Sequence, residues 1–133
     1  MKTVTFIITA LLLAVSTSTF AAGAIAVASD GYNSHGYAYA LNHDYPDLGS
    51  AESAALARCE VNRTTYGVAA ACAIVTWYVN GCGAFATAPN GANSWAWRDN
   101  SGAAAAGAVN NCNERGGANS CQVQHIECDG TAE

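Results

Sequence analysis

The sequence predicts an α+β domain of two ββαβ repeats, forming one mainly antiparallel sheet with two helices on one face, stapled by disulfides. Three observations predict it. The chain repeats itself internally, in order. Each copy passes from small-residue and aromatic strands through an alanine-rich helix to a strand rich in β-branched residues. Six cysteines follow an apolar leader, as in the disulfide framework of an exported chain.

The leader comes first. Lys2 precedes an apolar run from Phe6 to Val15, and small residues follow at Thr19, Ala21 and Ala22. These are the three parts of a secretory signal peptide, with cleavage expected after Ala21. The run is short for a bilayer span, which takes about 20 residues, so no stable membrane insertion is expected after cleavage. Residues 22–133 are then a single domain: removing 21 of 133 residues leaves 112. Its location is periplasmic or outside the cell. Loss of Lys2 leaves four arginines against ten carboxylates and moves the formal charge from −5 to −6. Nucleic acid is not an expected partner, because phosphate binding needs clustered Lys and Arg.

The repeats span about 23–81 and 83–128. Gly23, Ile25 and Asp30-Gly31 match Gly83, Phe85 and Asn90-Gly91 at an offset of 60. Tyr37-Ala38-Tyr39 matches Trp95-Ala96-Trp97 at an offset of 58. Gly23 to Ser29 reads as a short apolar strand. The Asp-Gly and Asn-Gly pairs mark hairpin turns, and Tyr37 to Leu41 and Ser94 to Arg98 are the returning strands. The first helix is expected from about Ala51 to Val61 with Ser50 as N-cap, its stripe formed by Ala51, Ala55 and Cys59. In the second helix Ser101 is the expected cap, Ala104, Ala108 and Cys112 form the stripe, and Gly116-Gly117 end it. "CAIVTWYV" and "CQVQHIE" are the closing strands.

Six cysteines allow 15 pairings. The repeat makes Cys59 equivalent to Cys112 and Cys72 to Cys121, and Cys82 and Cys128 follow the closing strands. The simplest symmetric solution is Cys59–Cys72 and Cys112–Cys121 within the units and Cys82–Cys128 between them. Structural zinc favours close pairs such as C-x₂-C, and none occurs here. No metal and no cofactor are expected.

The segments "GAIA", "SAESAALARC", "CAIVTWYVNGCGAFA" and "CNERGGANSCQVQHIEC" together resemble the bacterial secreted domain of unknown function 4189 family. The resemblance covers nearly the whole mature chain. It rests on Gly, Ala and Cys positions, so it implies a fold and an exported location but no activity and no catalytic residue. "EVNRTTYGVAAA", from Glu60 to Ala71, is longer than the family's link between the first two cysteines.

No catalytic set emerges. His43 stands beside Asp44 and Asp47 and has the chemistry of a general base, the basis for a small-hydrolase reading. No serine has a nucleophile setting, and paired cysteines leave no thiolate. His125 reads as a half-buried residue of the last strand. Tyr37, Tyr39, Trp95 and Trp97 are the candidate binding residues, either as an aromatic platform on an open sheet face or as a second hidden core. The expected function is therefore non-enzymatic binding of another secreted or envelope protein, with a cell-wall glycan as the alternative ligand.

Overall fold

The computed structural model describes residues 20–30 and 36–133. The predicted leader lies outside them except for Phe20 and Ala21, as do His35 and most of the first hairpin loop. The elements are β1 (Ala22–Ser29), β2 (Tyr37–Leu41), α1 (Leu48–Tyr66), β3 (Ala73–Val79), β4 (Cys82–Thr87), β5 (Asn93–Arg98), α2 (Ser101–Cys112) and β6 (Gln122–Cys128). The α+β class, two ββαβ units and disulfide staples are all present.

The six strands, expected in one sheet, form two antiparallel sheets, ordered β2-β1-β3 and β5-β4-β6. The reason is visible in the two central strands. β1 and β4 are buried on both faces. Ala22, Ala24, Ala26 and Ala28 of β1 pack under α1, and Ala84 and Ala86 of β4 pack under α2. The alternate positions carry Ile25, Val27 and Phe85, which meet between the sheets with Leu41 and Tyr78. A strand with two apolar faces belongs between layers. The order is therefore α1, first sheet, second sheet, α2, with one helix on each outer side rather than both on one face.

Both helices start earlier than the sequence suggests. Asp47, not Ser50, caps α1: its Oδ1 accepts the Ser50 N–H at 2.7 Å. Asn100, not Ser101, caps α2, accepting the Ala103 N–H at 2.8 Å. Each cap reaches the third residue onward, the usual N-cap geometry. Helix α1 also runs five residues past Val61, through poor helix formers. Thr64 and Thr65 return their hydroxyls to the carbonyls of Glu60 and Val61 at 2.9 Å, and the left-handed Gly67 is the true stop.

The strand register refines the repeat. Both units carry a bulge at the same place, between Ile25 and Ala26 and between Phe85 and Ala86, which confirms the offset of 60 for the first strands. Ile25 faces Leu41, whereas Phe85 faces Trp95. Trp95 thus stands where Leu41 does, and the Tyr and Trp pairs are not spatial equivalents. In the closing strands Tyr78 faces Gly23 and Glu127 faces Gly83, so Tyr78 and Glu127 are counterparts.

Disulfides join Cys59 to Cys72, Cys112 to Cys121 and Cys82 to Cys128. Cys82 lies directly opposite Cys128 in the β4–β6 ladder, with Cα atoms 4.0 Å apart. This third bridge therefore lies within the second sheet and does not link the units, because β4 already begins at Cys82.

Tyr78 is seated between the units. Its ring lies against both Gly23 and Gly83, and a Cβ at either glycine would overlap it. The buried phenol donates to the Asn42 carbonyl at 2.6 Å. Asn42 in turn accepts the Ala24 N–H at 2.9 Å and donates to the Ala51 carbonyl at 2.6 Å, tying strand, loop and helix together. Gly83→Ala is expected to lower stability by about 2–3 kcal/mol through overpacking. Tyr78→Phe, which leaves the Asn42 carbonyl without its donor, is expected to lower it by about 1–2 kcal/mol. Both are read from urea unfolding midpoints. The bridges span sequence separations of 46, 13 and 9. Loop entropy predicts that removing Cys82–Cys128 costs about 4 kcal/mol and either other bridge about 3; equal losses for the three paired-cysteine variants would contradict this.

Candidate functional site

Among the described residues, strand β2 is the outer strand of its sheet. The N–H of Asp30 bonds the Gly36 carbonyl at 2.8 Å, and the N–H of Asn42 bonds the Ala24 carbonyl at 3.3 Å. These two bonds fix the phase of the ladder: Ala38 and Ala40 exchange hydrogen bonds with β1. The N–H and C=O groups of Tyr37, Tyr39 and Leu41 consequently point away from the sheet. The Tyr39 carbonyl is met by the Asn62 side-chain amide at 2.7 Å.

Along this edge runs a groove of about 870 Å³. Its floor is β2. One wall is α1, with Arg58, Val61 and Tyr66, and Gln124 and His125 of β6 form the other. Val61 and Tyr66 are exposed large apolar residues, 65% and 74% accessible. The wall exists because α1 continues to Tyr66; a helix ending at Val61 would not supply Asn62 and Tyr66.

The matching edge in the second unit is closed. The bond from the Ala88 N–H to the Ala92 carbonyl sets β5 in the same phase, with the backbone N–H and C=O of Trp95 directed outward. The Asn111 amide donates to the Trp95 carbonyl at 2.9 Å. The wide turn Asn113–Gly117, which follows α2, then covers the strand, and the Arg115 guanidinium lies 4.6 Å above the Trp95 ring. Asn90 fastens that turn by donating to the Gly116 carbonyl at 2.7 Å.

A smaller polar pocket, about 220 Å³, adjoins the groove at the Leu41 end, with Arg58 lining both. Glu127 sits between two histidines, 3.2 Å from His43 Nε2 and 2.7 Å from His125 Nε2. His43 Nδ1 lies 2.9 Å from Asp44. The Asp44 carboxylate also accepts the Gly130 N–H at 2.7 Å, and these bonds hold its pKa below the ordinary value. Buried Asp129 accepts the Asp44 N–H at 2.7 Å through Oδ1. Burial raises the Asp129 carboxyl and keeps the Tyr78 phenol protonated, the latter aided by the nearby Asp129, Glu127 and Asp44 charges. Tyr78 is a donor here and not a base. Tyr45 supplies the one hydroxyl among the residues lining this pocket, and every cysteine is in a disulfide. Among the described residues no group of three His, Cys, Asp or Glu side chains is placed to hold a metal ion.

Three of the four candidate aromatics meet around Phe85. Tyr39 stacks on it with centroids 4.1 Å apart, Tyr37 is tilted at 6.0 Å, and Trp95 is its cross-strand neighbour. All three are half-buried between the sheets. Trp97 faces Gly83 and is 44% exposed. Tyr37 and Tyr39 also border the groove, where Tyr39 meets His125 edge-on at 6.1 Å. Arg58, Val61, Asn62, Tyr66 and Glu127 were not singled out from sequence. The helical spacing of Arg58, Asn62 and Tyr66, four apart on one face, is the signal that points to them.

A family model described as Domain of unknown function (DUF4189) matches residues 22–128, and the chain belongs to that family. No curated protein and no solved structure matches it.

The raised Asp129 carboxyl has a testable sign. A carboxyl raised in the folded protein favours folding below its ordinary value of 3.8, and that contribution is lost as pH rises through the higher folded value. Asp129→Asn keeps an oxygen for the Asp44 N–H but does not titrate. The stability of wild type relative to Asp129→Asn should therefore fall as the pH rises above the ordinary carboxyl value of 3.8. Paired urea titrations check this, and a pH-independent difference would count against it.

Proposed function

We propose that this family member is a bacterial exported, non-enzymatic binding module that takes up an extended segment of another protein along β2. The observation that carries this reading is the edge of β2, which no strand covers among the described residues and along which the N–H groups of Tyr37, Tyr39 and Leu41 point outward. Outward backbone groups on an edge strand are a template for an added strand, which gains affinity from main-chain hydrogen bonds and selectivity from flanking pockets. The groove supplies such flanks on both sides, and the closed β5 edge shows how the same fold fills that position when it covers it.

The apolar leader and the small-residue step at Ala21 support export by a signal peptide, and three disulfides suit the oxidising periplasm or cell exterior. Among the described residues no helix is long and apolar enough to cross a membrane. A flat glycan platform has less support. Tyr37, Tyr39 and Trp95 are turned between the sheets, leaving Trp97 as the one candidate more than a third exposed. A hydrolase centred on His43 also has less support, because its two nitrogens already face Asp44 and Glu127 and no activated nucleophile lines its pocket.

Selection of a displayed random-peptide library on the folded protein tests the reading. Bound peptides should slow hydrogen exchange at the Tyr37, Tyr39 and Leu41 amides. Tyr37→Pro removes one outward N–H without touching the ladder to β1, so affinity should fall about tenfold. Tyr37→Phe, which keeps the N–H and the ring, should bind as wild type does. Peptides that protect other amides, or bind Tyr37→Pro equally well, would remove the edge-strand mode.

A further inference from the structure

We infer that the occupant of the groove is an acidic segment, with an Asp or Glu side chain reaching Arg58 at the Leu41 end of β2. This rests on the edge-strand reading above and adds the chemistry of the partner. The argument is one of charge distribution. The chain has ten carboxylates and five cationic side chains, yet no carboxylate lines the groove. What lines it instead is Arg58, His125 and the amides Asn62 and Gln124.

Arg58 is exposed, and no ion pair to it occurs among the described residues. The other arginines are engaged. Arg63 pairs with Glu60, Arg98 donates to the Trp97 carbonyl at 2.6 Å, and Arg115 lies over Trp95. The carboxylates nearest to Arg58 in the polar pocket are themselves occupied: Glu127 by His43 and His125, Asp44 by His43 and the Gly130 N–H. A guanidinium in a groove without acids, next to acids already satisfied, selects an incoming carboxylate.

The position of Arg58 also sets a register. It lines both the groove and the pocket that holds Asn42 and His43, so the acid sits where β2 ends. Apolar side chains of the segment then fall against Val61 and Tyr66 farther along α1.

The test counts residues in the peptides selected above. Asp and Glu should be enriched over Lys and Arg on wild type, and the preference should reverse on Arg58→Glu. For one selected peptide, its Glu→Gln form should bind wild type about two- to fivefold more weakly at low salt. The same change should have no effect on Arg58→Gln, which circular dichroism should report as folded because residue 58 is exposed. Selected peptides that protect β2 but carry no excess of acids, or whose Glu→Gln effect persists in Arg58→Gln, would overturn the acidic partner and leave the edge-strand reading standing. Failure of any peptide to protect β2 would overturn both.

Discussion

The ring of Tyr78 is the contact on which the arrangement depends. It lies between the two units, against the glycines that hold equivalent places in each. A residue with any side chain at either glycine would push the sheets apart. Once the ring is seated, its hydroxyl fixes Asn42, and Asn42 fixes the start of the loop that carries His43 and Asp44. Sheet separation, loop position and the polar pocket thus descend from one side chain.

The layers around that ring are thin. Both helices approach their sheets through alanine, which permits close packing but buries little apolar area per residue. The larger residues are concentrated between the sheets, where five buried side chains and four half-buried ones form the central core. Covalent bridges hold what alanine holds weakly. Cys59–Cys72 and Cys112–Cys121 tie each helix to the strand that follows it. Both cysteines on the helices are completely buried, so each bridge is also part of the helix–sheet contact.

Much of the fold was legible because duplication writes the same pattern twice. The alanine stripes, the turn glycines and the spacing of the cysteines all speak through local periodicity. The division into two sheets was not legible in the same way. Alanine at Ala24 and Ala26 announces a helix-facing side, but Ile25 and Val27 between them read equally well as the other face of a single covered sheet. Only the partner layer distinguishes these. The groove was hidden for a different reason. Its wall uses residues beyond Val61, where Asn62, Thr64 and Thr65 lower helix propensity and the tertiary setting overrides them. The polar pocket joins a loop after β2 to the end of β6, a contact that no local pattern encodes. The aromatic pairs misled the alignment because similar spelling, "YAY" and "WAW", lies on strands shifted relative to each other.

The counterpart of Tyr78 is Glu127, and this bears on how the halves fit together. Two copies of the first unit, paired about the same axis, would direct two tyrosine rings into space that holds one. Two copies of the second would bring two carboxylates together there instead, a repulsive arrangement in a partly buried place. Neither half, as it now stands, is complementary to itself. The two halves are therefore complementary to each other, each filling a space that its own copy would not fit.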